Sequence, residues 1–275
     1  MSDRNLEIAA FLKSRRRRLT PASVGLPLGL RRRIDTLRRE DVAWLADVGI
    51  TWYTWLEQGR PIKMAAGTLA RVSSALRLDP AESEYLGKLV QSLGKAPRTW
   101  ERVVSDRVRA LVNSYSEGYA FVMDPCWDVL VWNDRFASLF GLNGETGGLE
   151  QNGLWIMFMN AGVRTLFPDW EAVARRMVAI FRVEHAEFGA HPRFGAVVEK
   201  LSARSSEFAT MWSHVEVFSP MAWSVGALRD PGSGTVTMFQ TIRLPIPDSP
   251  GQTLVFYVPE GAEVAAPLPE LAPAL

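Results

Sequence analysis

The segment from Arg38 to Gly59, RREDVAWLADVGITWYTWLEQG, constrains the fold more than any other part of the chain. Two runs of apolar residues within it have the three- and four-residue spacing of helices that are buried on one side. The first run contains Val42, Ala43, Leu45 and Ala46, and the second contains Tyr53 and Leu56. The three residues from Asp47 to Gly49 leave room only for a turn between them. Two short helices joined in this way predict a helix-turn-helix.

The second helix of this pair is predicted to enter the major groove of DNA. When its apolar side faces inward, the residues left facing outward near its N-terminal end are Ile50, Thr51, Trp52 and Trp55. A recognition helix presents its first turn and outward side to base edges, while neighbouring Arg and Lys side chains hold phosphates. The candidates for base contact are therefore Thr51, Trp52 and Trp55, and those for phosphate contact are Arg38, Arg60 and Lys63.

The two tryptophans of this helix leave a second interpretation open. An indole cannot make the bidentate guanine contact of an arginine, so Trp55 has to contact thymine methyl groups, pack on a sugar, or face another domain. Both Trp52 and Trp55 could instead pack against the segment around Arg31 or against a second domain.

Charge is divided unevenly along the chain. Residues 1–98 carry 18 Lys and Arg against 10 Asp and Glu, net +8, whereas the remainder carries 13 against 20, net −7. A basic first third suits a nucleic-acid binder, because phosphate attracts Lys and Arg. The clusters Arg15–Arg18 and Arg31–Arg33 are either phosphate contacts or solvated surface.

Residues 1–97 predict an all-α domain of five short helices around one small core. Besides the central pair, the apolar spacing predicts helices over 5–18, 68–76 and 79–93. Asp79, Pro80 and Glu82 give the last of these the sequence of a capping box.

Residues 98–258 predict a second domain of the α+β class. Apolar runs of strand length occupy 119–123 and 128–132, and Asn133 and Gly141 bracket a following helix. Further helices are predicted over 154–158, 168–188, 194–201 and 205–212, and further strands over 214–218, 223–228, 235–244 and 253–258. This order predicts an antiparallel sheet with helices over one face. The Pro- and Ala-rich tail, 259–275, is expected to be disordered.

Several of these stretches resemble known regulators. Leu56-Glu57-Gln58-Gly59 resembles the end of the helix-turn-helix in lambda-repressor-like (XRE) regulators. The resemblance is closer still to the MmyB-like regulators of bacteria, and it is carried by the sequences Leu37–Ala43, Tyr53–Arg60, Trp127–Asn133 and Ser206–Phe208 followed by Trp212. That resemblance implies a five-helix lambda-repressor-like domain followed by a PAS-like ligand-binding domain, with a fatty acid or similar lipid as the ligand.

The aromatic content of the second domain fits either a packed core or such a ligand cavity. Seven of the ten tryptophans lie after residue 98. If the PAS-like resemblance holds, the candidates for the cavity wall are Trp132, Phe136, Trp155, Met157, Phe158 and Phe167. The candidates for holding a carboxylate head are Asn160, Arg164 and His214.

Signals for other protein classes are weak in this sequence. His185 and His191 are six residues apart, which places them on different sides of a helix, and no metal site or other cofactor is expected. The sequence contains no GxSxG motif, Cys–His pairing or P-loop, so an enzyme is not expected. The single cysteine, Cys126, is interpreted as a small buried hydrophobe. No apolar run suits a signal peptide or a bilayer span, and a cytoplasmic protein without a membrane partner is expected.

Together these features predict a sequence-specific DNA-binding transcriptional regulator whose PAS-like domain binds a small hydrophobic ligand. A homodimer is expected, because one helix-turn-helix covers little double-stranded DNA and paired half-sites raise affinity. The alternative is a DNA-binding regulator whose second domain is a cavity-free dimerisation or protein-interaction module.

Overall fold

The N-terminal half consists of helices, as the sequence predicts. A computed structural model of the chain describes residues 3–27, 35–96, 98–142, 148–188, 191–219 and 224–261. Within them the first five helices are α1 (Asp3–Arg18), α2 (Arg39–Leu45), α3 (Ile50–Glu57), α4 (Ala66–Ala75) and α5 (Pro80–Ser92). Asp79 caps α5 by accepting a hydrogen bond from the backbone N–H of Glu82 at 2.8 Å. The helix-turn-helix formed by α2 and α3 is confirmed.

The core of this half is built from the apolar faces that the sequence spacing predicts. Tyr53 and Leu56 of α3 are buried, and they lie in one cluster with residues of the other four helices. The ring of Phe11 on α1 meets Tyr85 on α5 edge to face, with centroids 5.1 Å apart. α3 is therefore held by its inner side, which leaves its outer side free for contact.

The C-terminal half contains a five-stranded antiparallel sheet. Its strands are β1 (Tyr119–Met123), β2 (Val129–Trp132), β3 (Gly226–Arg229), β4 (Val236–Pro245) and β5 (Thr253–Pro259). They lie in the order β2-β1-β5-β4-β3, and every neighbouring pair runs antiparallel. The turn between β3 and β4 is closed by Asp230, whose carboxylate accepts the backbone N–H groups of Gly232 and Ser233. The predicted α+β fold is confirmed.

Among the described residues, six helices share one core with one face of the sheet, and one helix packs on the other face. The six are α7 (Asp134–Phe140), α8 (Gly153–Met159), α9 (Ala161–Leu166), α10 (Trp170–Phe188), α11 (Pro192–Arg204) and α12 (Ser206–Ser213). The seventh, α6 (Asp106–Ser114), precedes the sheet and packs with Val112 against β1 and β2 from the opposite side. The sequence analysis identified neither α6 nor α9.

One predicted strand is wrong. Residues 214–218 form no strand, and they cross instead to the N-terminal half. Val217 is buried in the core cluster of that half, and the carbonyl oxygen of Val215 accepts a hydrogen bond from Arg15 at 2.8 Å. This contact between the halves buries Val217, whereas Phe218 stays 42% exposed. Arg31–Arg33, residues 144–147, Trp223 and most of the predicted tail, from 262 onward, lie outside the described residues.

The two halves are packed together through α10. Val183 and Ala186 of this helix are buried in the core cluster of the N-terminal half. On the same helix, Met177 and Phe181 belong to the core between the sheet and its helices. α10 therefore contributes to both cores. The limits 1–97 and 98–258 proposed for the two domains stay predictions.

Candidate functional site

The outer side of α3 is exposed where the sequence analysis places its DNA contacts. Ile50 and Trp55 are 41% and 42% exposed, and Thr51 is also exposed. Trp52 is half-buried and packs on the core of the N-terminal half. Arg60 lies over the ring of Trp55, with its guanidinium carbon 5.2 Å from the ring centroid.

The three residues predicted to contact phosphates are all exposed. Arg38 precedes α2, and Lys63 lies in the loop after α3; both are exposed, as is Arg60. The backbone N–H of Arg38 is bonded to the Asp41 carboxylate at 2.7 Å, which fixes the start of α2. The predicted base-contact and phosphate-contact residues are therefore exposed, with the exception of the half-buried Trp52.

Glu57 holds α3 in place, a role that sequence reasoning missed. Its side chain is fully buried, and its carboxylate forms ion pairs with Arg16 of α1 at 2.6 Å and with Arg39 of α2 at 2.7 Å. Burial raises the pKa of this carboxyl group, but hydrogen bonds from both guanidiniums outweigh burial and leave the pKa lowered. The position of this glutamate next to an inward-facing leucine, in Leu56-Glu57-Gln58-Gly59, is the sequence signal that could have identified it.

The basic cluster at the end of α1 is partly structural. Arg15 is buried and forms an ion pair with Glu82 of α5 at 2.8 Å. Arg16 is bound to Glu57 and also donates to the carbonyl oxygen of Leu37 at 2.8 Å. Arg18 also forms an ion pair with Glu82, at 2.5 Å. Three of the four arginines in Arg15–Arg18 thus join helices of the fold, which neither interpretation of this cluster anticipated.

An apolar cavity lies between the sheet and its overlying helices. The space open to the centre of a water molecule is about 60 Å³, several times the roughly 10–15 Å³ that one buried water needs. Three of the predicted wall residues, Phe136, Met157 and Phe167, line it. The other apolar lining residues are Phe121, Met123, Trp127, Val129, Phe140, Ile156, Val163, Met177, Val225, Val255 and Tyr257, together with Gly153.

The remaining predicted wall residues do not line this cavity. Trp132 packs against the same core, and Phe158 packs between Trp170 and Phe208, with ring centroids 5.5 and 5.2 Å away. Trp155 lines an open surface groove instead. The periodicity of the sequence marks an apolar face but does not tell which of its residues border a void.

The predicted head-group residues also lie away from the cavity. Asn160 caps α9 by accepting the backbone N–H of Gly162 at 3.0 Å. Arg164 forms an ion pair with Glu207 at 2.6 Å and stacks over Trp170. His214 is exposed at the end of α12.

The charged residue that does line the cavity is Arg243 of β4. Its Nη2 donates to Oε1 of Glu184 on α10 at 2.7 Å. The other oxygen of Glu184 accepts a hydrogen bond from the indole Nε1–H of Trp127. Period-two alternation along the predicted strand places Arg243 on the same face as Phe239, a signal that could have identified it.

Next to Glu184, α10 also makes charged contacts with the N-terminal half. Its Glu187 forms an ion pair with Lys88 of α5 at 2.9 Å. Arg4 of α1 donates to the carbonyl oxygen of His185, and the imidazole Nδ1 lies 3.2 Å from the Glu7 carboxylate. Burial, together with the nearby Arg4 and Arg182 guanidiniums, lowers the pKa of His185 to about 3, so the imidazole beside Glu7 is neutral.

Asp124 and Asp128 shape the turn between β1 and β2. Asp124 accepts the backbone N–H groups of Cys126 and Asp128 at 2.9 and 3.0 Å. Asp128 is fully buried and receives two hydrogen bonds from Arg193 of α11, at 2.7 and 2.9 Å. Cys126 itself is buried, and its pKa is raised, chiefly by burial. This group joins the turn to the helical layer.

Comparisons with known families match both halves of the chain. The model for the MmyB-like transcription regulator ligand binding domain matches residues 104–267, and a helix-turn-helix domain model matches residues 7–86. A search of curated proteins found no match. These two domains are those of a DNA-binding transcription regulator that has a small-molecule ligand.

Two further features concern metals and membranes. Within the described ranges, no cluster of three or more His, Cys, Asp or Glu side chains could hold a metal ion. None of the helices in the described parts of the chain combines the length and apolar character needed to cross a bilayer.

Proposed function

Since the chain belongs to the MmyB-like transcription regulators, we propose that its ligand is a fatty acid or a similar lipid whose chain enters the apolar cavity. Binding there changes the affinity of the helix-turn-helix for DNA. The observation that carries this proposal is the position of α10. This helix lines the cavity with Met177, and it is buried against the DNA-binding half through Val183 and Ala186.

The walls of the cavity suit an acyl chain. Each methylene that leaves water contributes about 0.8 kcal/mol, and the lining is almost entirely aliphatic or aromatic. A long chain needs more room than about 60 Å³. Met123, Met157 and Met177 supply that room, because unbranched methionine side chains change rotamer and adapt to different shapes.

For DNA, the proposed contacts remain those on the exposed side of α3. Thr51 and Trp55 contact bases, with Ile50 and Trp52 beside them. Arg38, Arg60 and Lys63 contact phosphates. The exposure of these residues and the position of Arg60 over Trp55 support this assignment.

We propose a homodimer as the DNA-binding form, and a second copy of this chain as the occupant of the open sheet face. The alternate residues of β4 that point away from the helical layer are apolar and 44–47% exposed at Val236, Met238, Ile242 and Leu244, with the exposed Gln240 between the two pairs. An apolar row of this kind is suited to an interface between identical subunits. Two joined helix-turn-helix units then reach two half-sites.

The ligand proposal is tested by mass spectrometry of the protein purified under native conditions and then denatured to release bound lipid. We expect one fatty acid or related lipid per chain, or uptake of one added fatty acid per chain when the protein is first delipidated. A chain that carries no lipid and takes up none contradicts the proposal and favours a second domain that serves only for dimerisation or protein interaction.

A further inference from the structure

Arg243 lies at the boundary between two spaces. On one side is the apolar cavity, and on the other is an open cleft between the halves of the molecule; Arg243 lines both. Glu184 lines the cleft as well, together with Glu84 and Lys88 from α5 of the DNA-binding half. The Arg243–Glu184 ion pair therefore stands where a molecule with an apolar tail in the cavity would place a polar head.

We propose that Arg243 is the binding site for the anionic head of the ligand, and that the ligand carboxylate replaces Glu184 on the Arg243 guanidinium. This inference rests on the proposed function and specifies the ligand as an amphiphile with one carboxylate head. Neutral lipids of the same length bind less tightly.

The geometry of the pair supports an exchange of carboxylates. A guanidinium is planar and matches a carboxylate with two parallel hydrogen bonds, whereas Glu184 contacts Arg243 through one oxygen, Oε1. The side chain of Arg243 is 20% exposed and that of Glu184 is 12% exposed, so the pair is partly shielded from water and its hydrogen bonds are strengthened. After displacement, Glu184 keeps the hydrogen bond from the indole of Trp127.

Displacement of Glu184 acts directly on the contact between the halves. Glu184 is followed on α10 by His185, which contacts Arg4 and Glu7 of α1, and by Glu187, which is paired with Lys88 of α5. A new negative charge beside Glu184 repels it, and Glu184 belongs to the helix that carries these contacts. Ligand binding at Arg243 is in this way linked to the position of the DNA-binding half.

The experiment compares dodecanoic acid with 1-dodecanol, which has the same chain and an uncharged head. Each is titrated calorimetrically, below its aggregation concentration, into the delipidated full-length protein and into three variants. Arg243→Gln removes the charge at the proposed site. Glu184→Gln keeps the side-chain shape and an oxygen that accepts from Trp127. Arg164→Gln is the matched control, because it removes an arginine that lies outside the cavity.

We expect the wild-type protein to bind the acid at least about tenfold more tightly than the alcohol, since hydrogen bonds to charged groups are the stronger ones. Arg243→Gln abolishes this preference by weakening acid binding far more than alcohol binding, while Glu184→Gln strengthens acid binding several-fold. Arg164→Gln has no effect on either probe. The expected calorimetric readout is thus a change in the acid-to-alcohol affinity ratio.

Two other outcomes overturn the inference in distinguishable ways. Equal affinities for acid and alcohol, unchanged in Arg243→Gln and in Glu184→Gln, show that the head group is not read at Arg243 and leave the proposed lipid ligand intact. Failure of the wild-type protein to bind either probe overturns the proposed function itself, and this inference with it.

Discussion

Trp52 and Trp55 are adjacent on the outer side of α3, yet their surroundings differ. Trp52 packs partly on the core of the N-terminal half. Trp55 is 42% exposed and is covered on one side by Arg60. A cation over one face of the indole leaves its edge and other face available to thymine methyl groups or to a sugar.

The double variant Thr51→Ala, Trp55→Ala is expected to lower the affinity for an operator at least about tenfold, because each lost base contact costs about 1–3 kcal/mol. The affinity is measured by fluorescence anisotropy at fixed salt, on variants whose circular dichroism matches the wild type. Trp44→Ala is the control, since Trp44 is a 73% exposed tryptophan on α2. Unchanged affinity in the double variant would refute this placement of the recognition helix.

Glu57 is expected to matter for stability more than any exposed carboxylate. Glu57→Ala leaves Arg16 and Arg39 without their buried partner, and we expect a loss of about 3–5 kcal/mol in the free energy of unfolding, reduced because Arg39 is 42% exposed. Glu84→Ala breaks an exposed pair with Lys88 and should cost less than about 1 kcal/mol. Urea titration measures the free energy of unfolding of both variants. Equal losses would show that the buried ion pairs of Glu57 contribute no more to stability than an exposed pair.

At the scale of elements, the parts that sequence reasoning found are those with a local physical signal. The capping box at Asp79 and the bracketing of α7 by Asn133 and Gly141 place helix ends correctly. α6 was missed because its alternating charges hide a short apolar face, with Val112 as its buried residue. The strand predicted over 214–218 failed because its burial depends on contact with a distant part of the chain.

The same dependence on distant contacts explains which candidate site residues could be predicted from the sequence and which could not. Residues that face solvent on α3 follow from helical periodicity, so their exposure could be predicted. The border of the cavity depends on how α8, α9 and α10 cross the sheet, and no local pattern encodes that crossing. Arg243 could have been identified from the alternation along its strand. Its partner Glu184 could not, because it lies 59 positions away on another element.

The contact between α10 and α1 should weaken in acid because of His185. Its pKa is about 3 in the folded protein and about 6.5 when unfolded. The unfolded chain therefore takes up the proton first, and the stability that neutral His185 provides is present above about pH 6.5 and is lost as pH falls towards 3. The slope for one such proton is at most about 1.4 kcal/mol per pH unit.

His185→Gln is expected to remove this component from the pH dependence of the unfolding free energy. The difference between wild type and variant is the readout, because Asp124, whose pKa burial raises to about 6, changes stability in the opposite direction over part of the same range. Parallel curves for the two proteins between pH 3 and 6.5 would contradict a buried, neutral His185.

At the scale of the whole molecule, one helix connects the two functions. The cavity side of α10 contacts the sheet domain, and its other side is buried against α1 and α5. The DNA-binding half is therefore packed directly on the ligand-binding half. A change in the position of α10 has to be accommodated at both surfaces, because closely packed interiors deform little.

The outer face of β4 supplies a prediction about assembly. We expect the wild-type chain to sediment at twice its mass of 30.7 kDa and the Ile242→Glu, Leu244→Glu variant to sediment as a monomer, because buried carboxylates oppose the interface. Leu6→Glu, at a comparably exposed leucine on α1, is the control and should remain dimeric. A dimeric double variant would place the interface elsewhere.

The central claim is that lipid occupancy and DNA affinity are coupled through α10. Its most direct test is the affinity for an operator, identified by genomic footprinting, measured by fluorescence anisotropy with delipidated protein and again with saturating fatty acid. The account predicts a change of roughly 5- to 150-fold, the usual range for allosteric coupling. Equal operator affinities in the two states, with lipid binding verified in the same samples, would contradict it.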